Sequence, residues 1–214
     1  MQLKLDLHVH TYYSSDSIIT PEELVFYAKK RGLDGVAITD HDRLDSALKI
    51  AEESKFFIIP GIEITSLDGH IVGLNVDKHV PSGLGVDETV DRIHEAGGMA
   101  VACHPVAFFK GSLEKHVTSK FDAVEVVNAS AFPFNYCVRH SRQLASSVGV
   151  EACVAGSDAH YGPEVGYAYT LVDAELEINK VIEAIGKGAC QPFGNAIPLT
   201  LRLKRVVLTR LKKK

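Results

Sequence analysis

Short apolar segments alternate with amphipathic segments along the chain, and this alternation limits the fold more than any other feature of the sequence. Seven apolar runs have the length of strands, and most are apolar at consecutive positions, as is typical of strands buried on both faces. They span residues 3–9, 35–39, 56–64, 99–103, 123–127, 151–155 and 167–172. Residues 71–76 predict an extra strand that pairs locally.

Helix start and stop signals lie between the predicted strands. Thr20 is a suitable N-cap, Pro21 fits the first helical position, and Gly32 follows a basic last turn. Further helices are predicted over residues 45–54, 86–96, 136–148 and 177–185. The repeated order of strand, loop and helix predicts one α/β domain with a barrel-like parallel sheet.

The composition places the chain among globular proteins. Of its 214 residues, 46% are hydrophobic and 23% charged, which excludes disordered, collagen-like and coiled-coil classes. No apolar run approaches the roughly 20 residues of a membrane span, and the first residues lack the apolar core of a signal peptide. Four widely spaced cysteines without a CxxC pair indicate reduced thiols. We therefore expect a cytoplasmic protein without a membrane partner.

The last fifteen residues, 200–214, contain seven basic side chains and no acidic one. Since the whole chain carries a net charge of −4, residues 1–199 carry −11. We expect a single domain over residues 1–199 and a basic tail over 200–214. Such a tail can contact nucleic acid or another anionic surface, but a solvated end or a strand docked on the body is the simpler expectation.

Imidazole and carboxylate groups stand at the ends of five predicted strands. His8 and His10 alternate along the first strand, so both side chains point to the same side and can reach one cation. The groups at the other strand ends are Asp40, His41, Glu63, His104, Asp158 and His160. Parallel α/β barrels assemble their sites at the carboxyl ends of their strands. Buried together without cations, these groups would leave unbalanced charge, so the pattern predicts a metal site.

The segments DLHVHT, ITDHD, GIE, CHP and GSDAH occur in the order and spacing of the polymerase and histidinol phosphatase family, the PHP domain, which the chain resembles from Asp6 to His160. The resemblance implies an α/β fold, a distorted seven-stranded (β/α)7 barrel similar to a TIM barrel. It also implies a trinuclear metal cluster that hydrolyses phosphoesters. We expect two to three divalent ions, Zn²⁺, Mn²⁺ or Fe²⁺, with Mg²⁺ also occurring among members.

The resemblance assigns ligands to three ions. The ligands of the first ion are His8, His10, Glu63 and Asp158. Glu63 also bridges to a second ion, which His104 holds. The ligands of the third ion are Asp16, His41 and His160.

Three positions distinguish this chain from many members of the family. Asp16 stands where many members have a histidine, which resembles the branch that includes nucleotide phosphatases and exonucleases acting from the 5′ end of short RNA. His70 matches a histidine of that branch and is a candidate ligand of the second metal or a phosphate contact. Where other members carry a histidine after the fifth strand, this chain has Glu125 to Asn128. Asn128 contacts substrate or a ligand, or makes a turn hydrogen bond.

A cluster of this kind can hydrolyse phosphoesters without a serine or cysteine nucleophile. Two cations about 3.5 to 4 Å apart share a hydroxide, lower the pKa of water from ~15.7 toward ~7 and hold the phosphate oxygens. Asp40 and His160 are candidates for the general acid, although Asp40 can equally orient a ligating histidine. Arg43 and Lys110, in loops after strands, are candidates for binding phosphate charge.

The first functional hypothesis is a metal-dependent phosphoesterase that hydrolyses a phosphomonoester, such as a nucleotide or sugar phosphate, with a metal-bound hydroxide. Three alternatives remain: a 5′-to-3′ exonuclease on short RNA or DNA, a histidinol-phosphate phosphatase, and a non-catalytic metal-binding module. The expected partner is a small phosphorylated substrate or a short oligonucleotide. The sequence leaves the oligomeric state open.

Overall fold

A computed structural model describes residues 1–212 of the chain. One nine-stranded sheet runs through it. The strands are β1 (Gln2–Val9), β2 (Gly35–Ile38), β3 (Phe57–Thr65), β4 (His70–Leu74), β5 (Met99–Ala102), β6 (Ala123–Asn128), β7 (Cys153–Gly156), β8 (Ala168–Asp173) and β9 (Cys190–Gly194). The helices are α1 (Pro21–Lys30), α2 (Asp45–Glu53), α3 (Val86–Glu95), α4 (Phe134–Val148), α5 (Ile178–Gly186) and α6 (Leu199–Lys212).

The strand order is β7-β6-β5-β4-β3-β2-β1-β8-β9. β1, β2 and β3 are mutually parallel, β4 is antiparallel to both of its neighbours, and β5, β6 and β7 are parallel again. The six strands β1 to β3 and β5 to β7 therefore run in the same direction and end at one rim. Because β4 runs in the opposite direction, its first residue, His70, lies at that same rim.

The sheet curls into a nearly closed barrel because the residues that follow β7 reach β1. The Asp158 N–H donates to the His8 carbonyl at 2.7 Å, and the His10 N–H donates to the Ala159 carbonyl at 3.0 Å. Gly156 makes this approach possible, since a Cβ atom there would lie 2.3 Å from the Cβ of His8. Closure therefore places the ends of β1 and β7 side by side.

Local sequence signals explain why the strands and helices form where they do. β6 is buried at all six positions, as its mainly apolar sequence predicts. Thr20 and Glu23 form a capping box at the start of α1, in which each side chain bonds the backbone N–H of the other residue. Within residues 1–212, no helix has the length and apolar character needed to cross a bilayer.

The structure corrects the predicted seven-stranded count, since the sheet of the described chain has nine strands. The extra strand expected near residues 71–76 is β4, and it is a full member of the sheet. β9 was not predicted. Its sequence, CQPFG, is short, half-buried and contains proline, which is typical of an edge strand but gives little periodic signal.

As far as Lys212, the basic segment is a helix that contacts the barrel, and it is neither a docked strand nor a free end. Residues 213 and 214 lie outside the described residues. Residues Leu199–Lys212 form helix α6, and the Arg202 guanidinium donates to the carbonyl of Ala129 at 2.9 Å. Leucine, arginine and lysine are good helix formers, and no glycine or proline interrupts them. The helix was missed because its apolar residues other than Leu201 point to solvent, so the sequence lacks an inward apolar stripe.

Replacing Gly156 by alanine should open the junction of β1 and β7. The added methyl group meets the Cβ of His8, so we expect a loss of about 1–3 kcal/mol in the free energy of unfolding, measured by chemical denaturation. Gly85→Ala is the matched control, because a Cβ there has no neighbour within 4 Å and the backbone φ is −63°. Equal losses in both variants would contradict the close approach.

Candidate metal centre

The rim at the carboxyl ends of the six co-directional strands gathers the side chains that the sequence singles out as metal ligands. They come from β1, the loop after it, the ends of β2, β3, β5 and β7, and the start of β4. The group consists of His8, His10, Asp16, His41, Glu63, His70, His104, Asp158 and His160.

Glu63 occupies the middle of this group. Its carboxylate is almost completely buried, and its two oxygens face five imidazole nitrogens. Oε1 lies 2.9 Å from His104 Nε2 and 3.0 Å from His70 Nδ1. The nitrogens within 3.4 Å of Oε2 are His10 Nε2 at 3.1 Å, His41 Nδ1 at 3.2 Å and His8 Nε2 at 3.4 Å. One carboxylate therefore links five histidines.

Asp158 and Asp16 extend the group on the side of β7. Asp158 Oδ1 lies 3.5 Å from both His10 Nε2 and His160 Nδ1. Asp16 Oδ2 lies 3.1 Å from His160 Nε2 and 3.6 Å from His41 Nε2. Asp16 Oδ1 is buried and has no hydrogen-bond partner within residues 1–212, so one carboxylate oxygen is available to a cation.

The donor atoms fit divalent metal ions. Several sets of three, including His8 with His10 and Glu63, place their ligand atoms within 4.8 Å of one another. His8 Nε2 and His10 Nε2 are 3.2 Å apart, close to the separation of about 3.3 Å between two nitrogens bound tetrahedrally to zinc. Mixed imidazole and carboxylate donors favour Zn²⁺, Mn²⁺ or Fe²⁺ over Ca²⁺.

The carboxylates of the centre are ionised at neutral pH. Burial alone would raise the pKa of Glu63, but the charge of His8 and hydrogen bonds from His10 and His104 outweigh it and hold that pKa well below its usual range. Burial also opposes ionisation of Asp158, but Lys110 and the histidines lower its pKa. The centre therefore contains ionised carboxylates, which are ligands that divalent cations can bind.

The histidines of the centre divide into those whose pKa is raised and those whose pKa is lowered. Burial alone would lower the pKa of His10, but hydrogen bonds to Asp158 and Glu63 raise it to about 9. Burial lowers the pKa of His160 to about 4, and it also lowers the pKa of His104. His104 and His160 are therefore neutral near pH 7, which is the form that binds a metal.

Glu125 supports the centre from behind and was missed as a functional residue. Its Oε1 lies 3.1 Å from His8 Nδ1, and its Oε2 accepts the His104 N–H at 2.8 Å. A carboxylate on Nδ1 directs the Nε2 of His8 toward the centre and increases its basicity. The available signal was a single acidic residue inside the buried, apolar strand β6.

Asp40 lies beneath the centre. Its oxygens accept hydrogen bonds from the Thr11 N–H at 2.7 Å and from the hydroxyls of Thr11, Ser14 and Ser46 at 2.6, 2.9 and 2.7 Å. The Ser14 hydroxyl also lies 3.3 Å from His10 Nδ1. This geometry favours the orienting role for Asp40, acting through Ser14 on His10.

The three candidate substrate contacts that are not ligands differ in position. Lys110 forms an ion pair with Asp158, and Asn128 Nδ2 lies 3.2 Å from Asp158 Oδ2, so both border the centre. The structure does not bring Arg43 into the group. Its guanidinium instead pairs with the neighbouring Asp45 at 2.7 and 2.9 Å.

Cys103 also lies at the centre, with its Sγ atom 3.6 Å from Glu63 Oε1. Burial raises the pKa of this thiol well above its usual value, and the charge of Glu63 adds to the effect. The side chain is therefore a protonated thiol. All four cysteines are free, as the sequence predicts.

Two of the ligand-type residues adopt a left-handed backbone conformation. The φ angles are 32° for His104 and 53° for Asp158. Such conformations are uncommon for residues other than glycine and cluster at functional sites. A cavity of about 260 Å³ opens above the centre, between the imidazoles and the segment that carries Phe109 and Lys110.

Residues 6–185 match the family model described as the PHP domain, so the chain belongs to the PHP domain family. An uncharacterized protein of Methanocaldococcus jannaschii is 36% identical over 141 residues, which are 59% of this chain and 82% of the relative. A 5′-3′ exoribonuclease of Haemophilus influenzae is 42% identical over 88 residues, which are 38% of this chain and only 32% of the enzyme.

Solved structures share the fold. PsfC from Pseudomonas syringae superposes with a TM-score of 0.72 at 17% identity, over 98% of each chain. A two-domain protein from Bacteroides vulgatus, described as containing a predicted PHP-like metal-dependent phosphoesterase, has a TM-score of 0.73 at 18% identity. The match covers 91% of this chain and 65% of that one.

Replacing Glu125 by glutamine should weaken metal binding without removing a ligand. The variant keeps the shape of the side chain but loses the charge that directs His8, so we expect affinity for Zn²⁺ or Mn²⁺ to fall about 10–100-fold, measured by competition with a coloured chelator. Glu151→Gln, at an exposed position, is the control. Unchanged affinity in the Glu125 variant would show that its contact with His8 does not support the centre.

Proposed function

We propose that the protein is a metal-dependent phosphoesterase that hydrolyses a phosphomonoester, such as a nucleotide or sugar phosphate. The observation that carries this proposal is the convergence of five imidazoles on the buried carboxylate of Glu63. When bound, two or three divalent cations supply an activated water and neutralise phosphate charge. Side chains of this chain would hold the ions and would bind and orient the substrate.

The proposed ligands follow the geometry of the rim. One ion would be held by His8, His10, Glu63 and Asp158, whose donor atoms face one another. A second would be held by Glu63 and His104, with His70 beside them. A third would be held by Asp16, His41 and His160. The neutral form of His160 suits a ligand, and we assign Asp40 as a positioning residue because its oxygens already accept four hydrogen bonds.

Lys110 is the proposed contact for phosphate at the mouth of the cavity. Its ammonium group pairs with Asp158 and remains about one-quarter exposed, with a side-chain exposure of 23%. A phosphate bound at the cavity would meet this charge, which would orient the substrate without taking part in bond cleavage. Asn128 is buried below the cavity, and its amide donates to Glu125 and Asp158, so we assign it as a positioning residue.

A 5′-to-3′ exonuclease is the second candidate, and two observations favour it. Exoribonucleases are among the relatives, and one is 42% identical over 88 residues. The basic helix α6 also lies beside the candidate metal centre, where Arg205 and Arg210 line a neighbouring cleft. Nothing comparable favours a histidinol-phosphate phosphatase or a non-catalytic module over these two activities.

Single substitutions of ligands should abolish orthophosphate release. We expect His8→Ala and Asp158→Asn to lower the metal-dependent hydrolysis of nucleoside monophosphates and sugar phosphates by at least about 100-fold, since even changes behind the ligands cost 10–100-fold. His140→Ala, which replaces a half-buried histidine of α4 outside the metal centre, is the matched control. Activity of both ligand variants at the wild-type level would reject the proposal, as would activity that survives complete chelation.

One labelled oligonucleotide distinguishes the two candidates. A short RNA with a 5′ phosphate and a 3′ fluorophore loses only orthophosphate if the protein is a phosphomonoesterase. An exonuclease instead shortens it stepwise from the 5′ end and releases mononucleotides, which denaturing gels and chromatography detect. Intact RNA together with hydrolysis of small monoesters would exclude the exonuclease.

A further inference from the structure

Helix α6 lies across the rim of the barrel and is attached there at both ends. Near its start, Arg202 donates to the carbonyl of Ala129 at 2.9 Å. At its end, Lys212 Nζ donates to the carbonyls of Tyr12 and Ser17 at 2.8 and 2.7 Å. These carbonyls belong to loops that follow β6 and β1. α6 is therefore held against two of the loops that surround the candidate metal centre.

Apart from Leu201, which packs against the core, the face of α6 that turns toward the barrel is polar and cationic. Arg202, Arg205 and Thr209 are half-buried, whereas Leu203 and Val207 are exposed. An ordinary amphipathic helix places its apolar stripe against the body of the protein. The reversed arrangement of α6 offers N–H donors to the space between helix and barrel, which suits an anion.

A cleft of about 330 Å³ separates the middle of α6 from the metal centre. Its walls include three cationic residues, Lys110, Arg205 and Arg210, and the one acidic residue of the lining is Asp16. Asp16, Lys110 and His160 also line the cavity of the metal centre, so the two spaces adjoin. A substrate whose phosphate lies at the metal centre would extend into this cationic cleft.

Arg205 is held in place and still has donors to offer. Its Nη1 lies 3.3 Å from Glu164 Oε2, and the Glu164 side chain is completely buried. The same oxygen accepts the His160 N–H at 3.1 Å, so this contact joins α6 to the metal centre. Among residues 1–212, Nε and Nη2 of Arg205 find no acceptor, and Arg210 forms no ion pair.

We infer that α6 determines substrate specificity, with Arg205 and Arg210 binding a second anionic group of the substrate while the scissile phosphate lies at the metal centre. The inference rests on the proposed phosphoesterase activity and names its substrate class, a phosphomonoester that carries a further phosphate. That further phosphate is either a terminal group, as in a bisphosphate, or an internucleotide phosphodiester. Lys110 lines both the cavity of the metal centre and the cationic cleft, so it would lie between the two phosphates.

The test compares kcat/KM for three substrates of the full-length, metal-loaded protein. p-Nitrophenyl phosphate has no second anionic group, 1,4-butanediol bisphosphate has a terminal one, and 5′-phosphorylated dithymidine has an internucleotide one. The wild type should have a higher kcat/KM for a doubly anionic substrate than for p-nitrophenyl phosphate. Arg210→Gln should reduce that ratio at least about tenfold, because the loss of one hydrogen bond between charged groups weakens binding by about this factor. A lower preference for butanediol bisphosphate in this variant identifies the second phosphate as a terminal group. A lower preference for dithymidine identifies it as an internucleotide group.

Lys204→Gln is the matched control, because it removes a charge from the exposed side of α6 and should leave the preference unchanged. Equal losses for all three substrates in Arg210→Gln, or the same loss of preference in Lys204→Gln, would overturn the inference. If the wild type hydrolyses none of the substrates, the proposed function fails, and calorimetric titration with butanediol bisphosphate decides the inference separately. Binding that weakens at least tenfold in Arg210→Gln supports it, and binding that is absent or unaltered overturns it.

Discussion

A buried carboxylate is tolerated inside a protein only where positive charge or hydrogen-bond donors surround it, and Glu63 places this requirement at the centre of the barrel. Its oxygens face imidazoles from β1, β2, β4 and β5 or the residues beside them. These imidazoles come together because six strands end at one rim and the reversed strand β4 begins there. Divalent cations would convert this crowded set of charges into a stable coordination site.

The surroundings of the centre restrict the freedom of its side chains. Glu125 fixes one nitrogen of His8, and Asp40 acts on His10 through Ser14. The junction of β1 with the end of β7 holds the two halves of the ligand set in register. Such supporting contacts keep ligand geometry fixed, which a hydrolytic site requires for positioning water and phosphate. α6 then closes one side of the cationic cleft beside the centre.

Strand ends and the clustering of the candidate ligands could be predicted from the sequence because mainly apolar runs mark buried parallel strands, and polar groups at their ends stand out. β9 and α6 gave no such signal, since one is a short edge strand and the other turns its apolar residues outward. Glu125 was overlooked because its partners are distant in sequence. Arg43 follows a strand, but loop position alone does not fix the direction of a long side chain, and it pairs locally with Asp45.

Metal content per chain tests the central claim most directly. The protein would be purified untagged and without chelator, and its transition metals counted by plasma mass spectrometry against protein concentration. The account predicts two to three ions per chain, held by the residues around Glu63. Fewer than one ion per chain, even after reconstitution with Mn²⁺ or Zn²⁺, would contradict it.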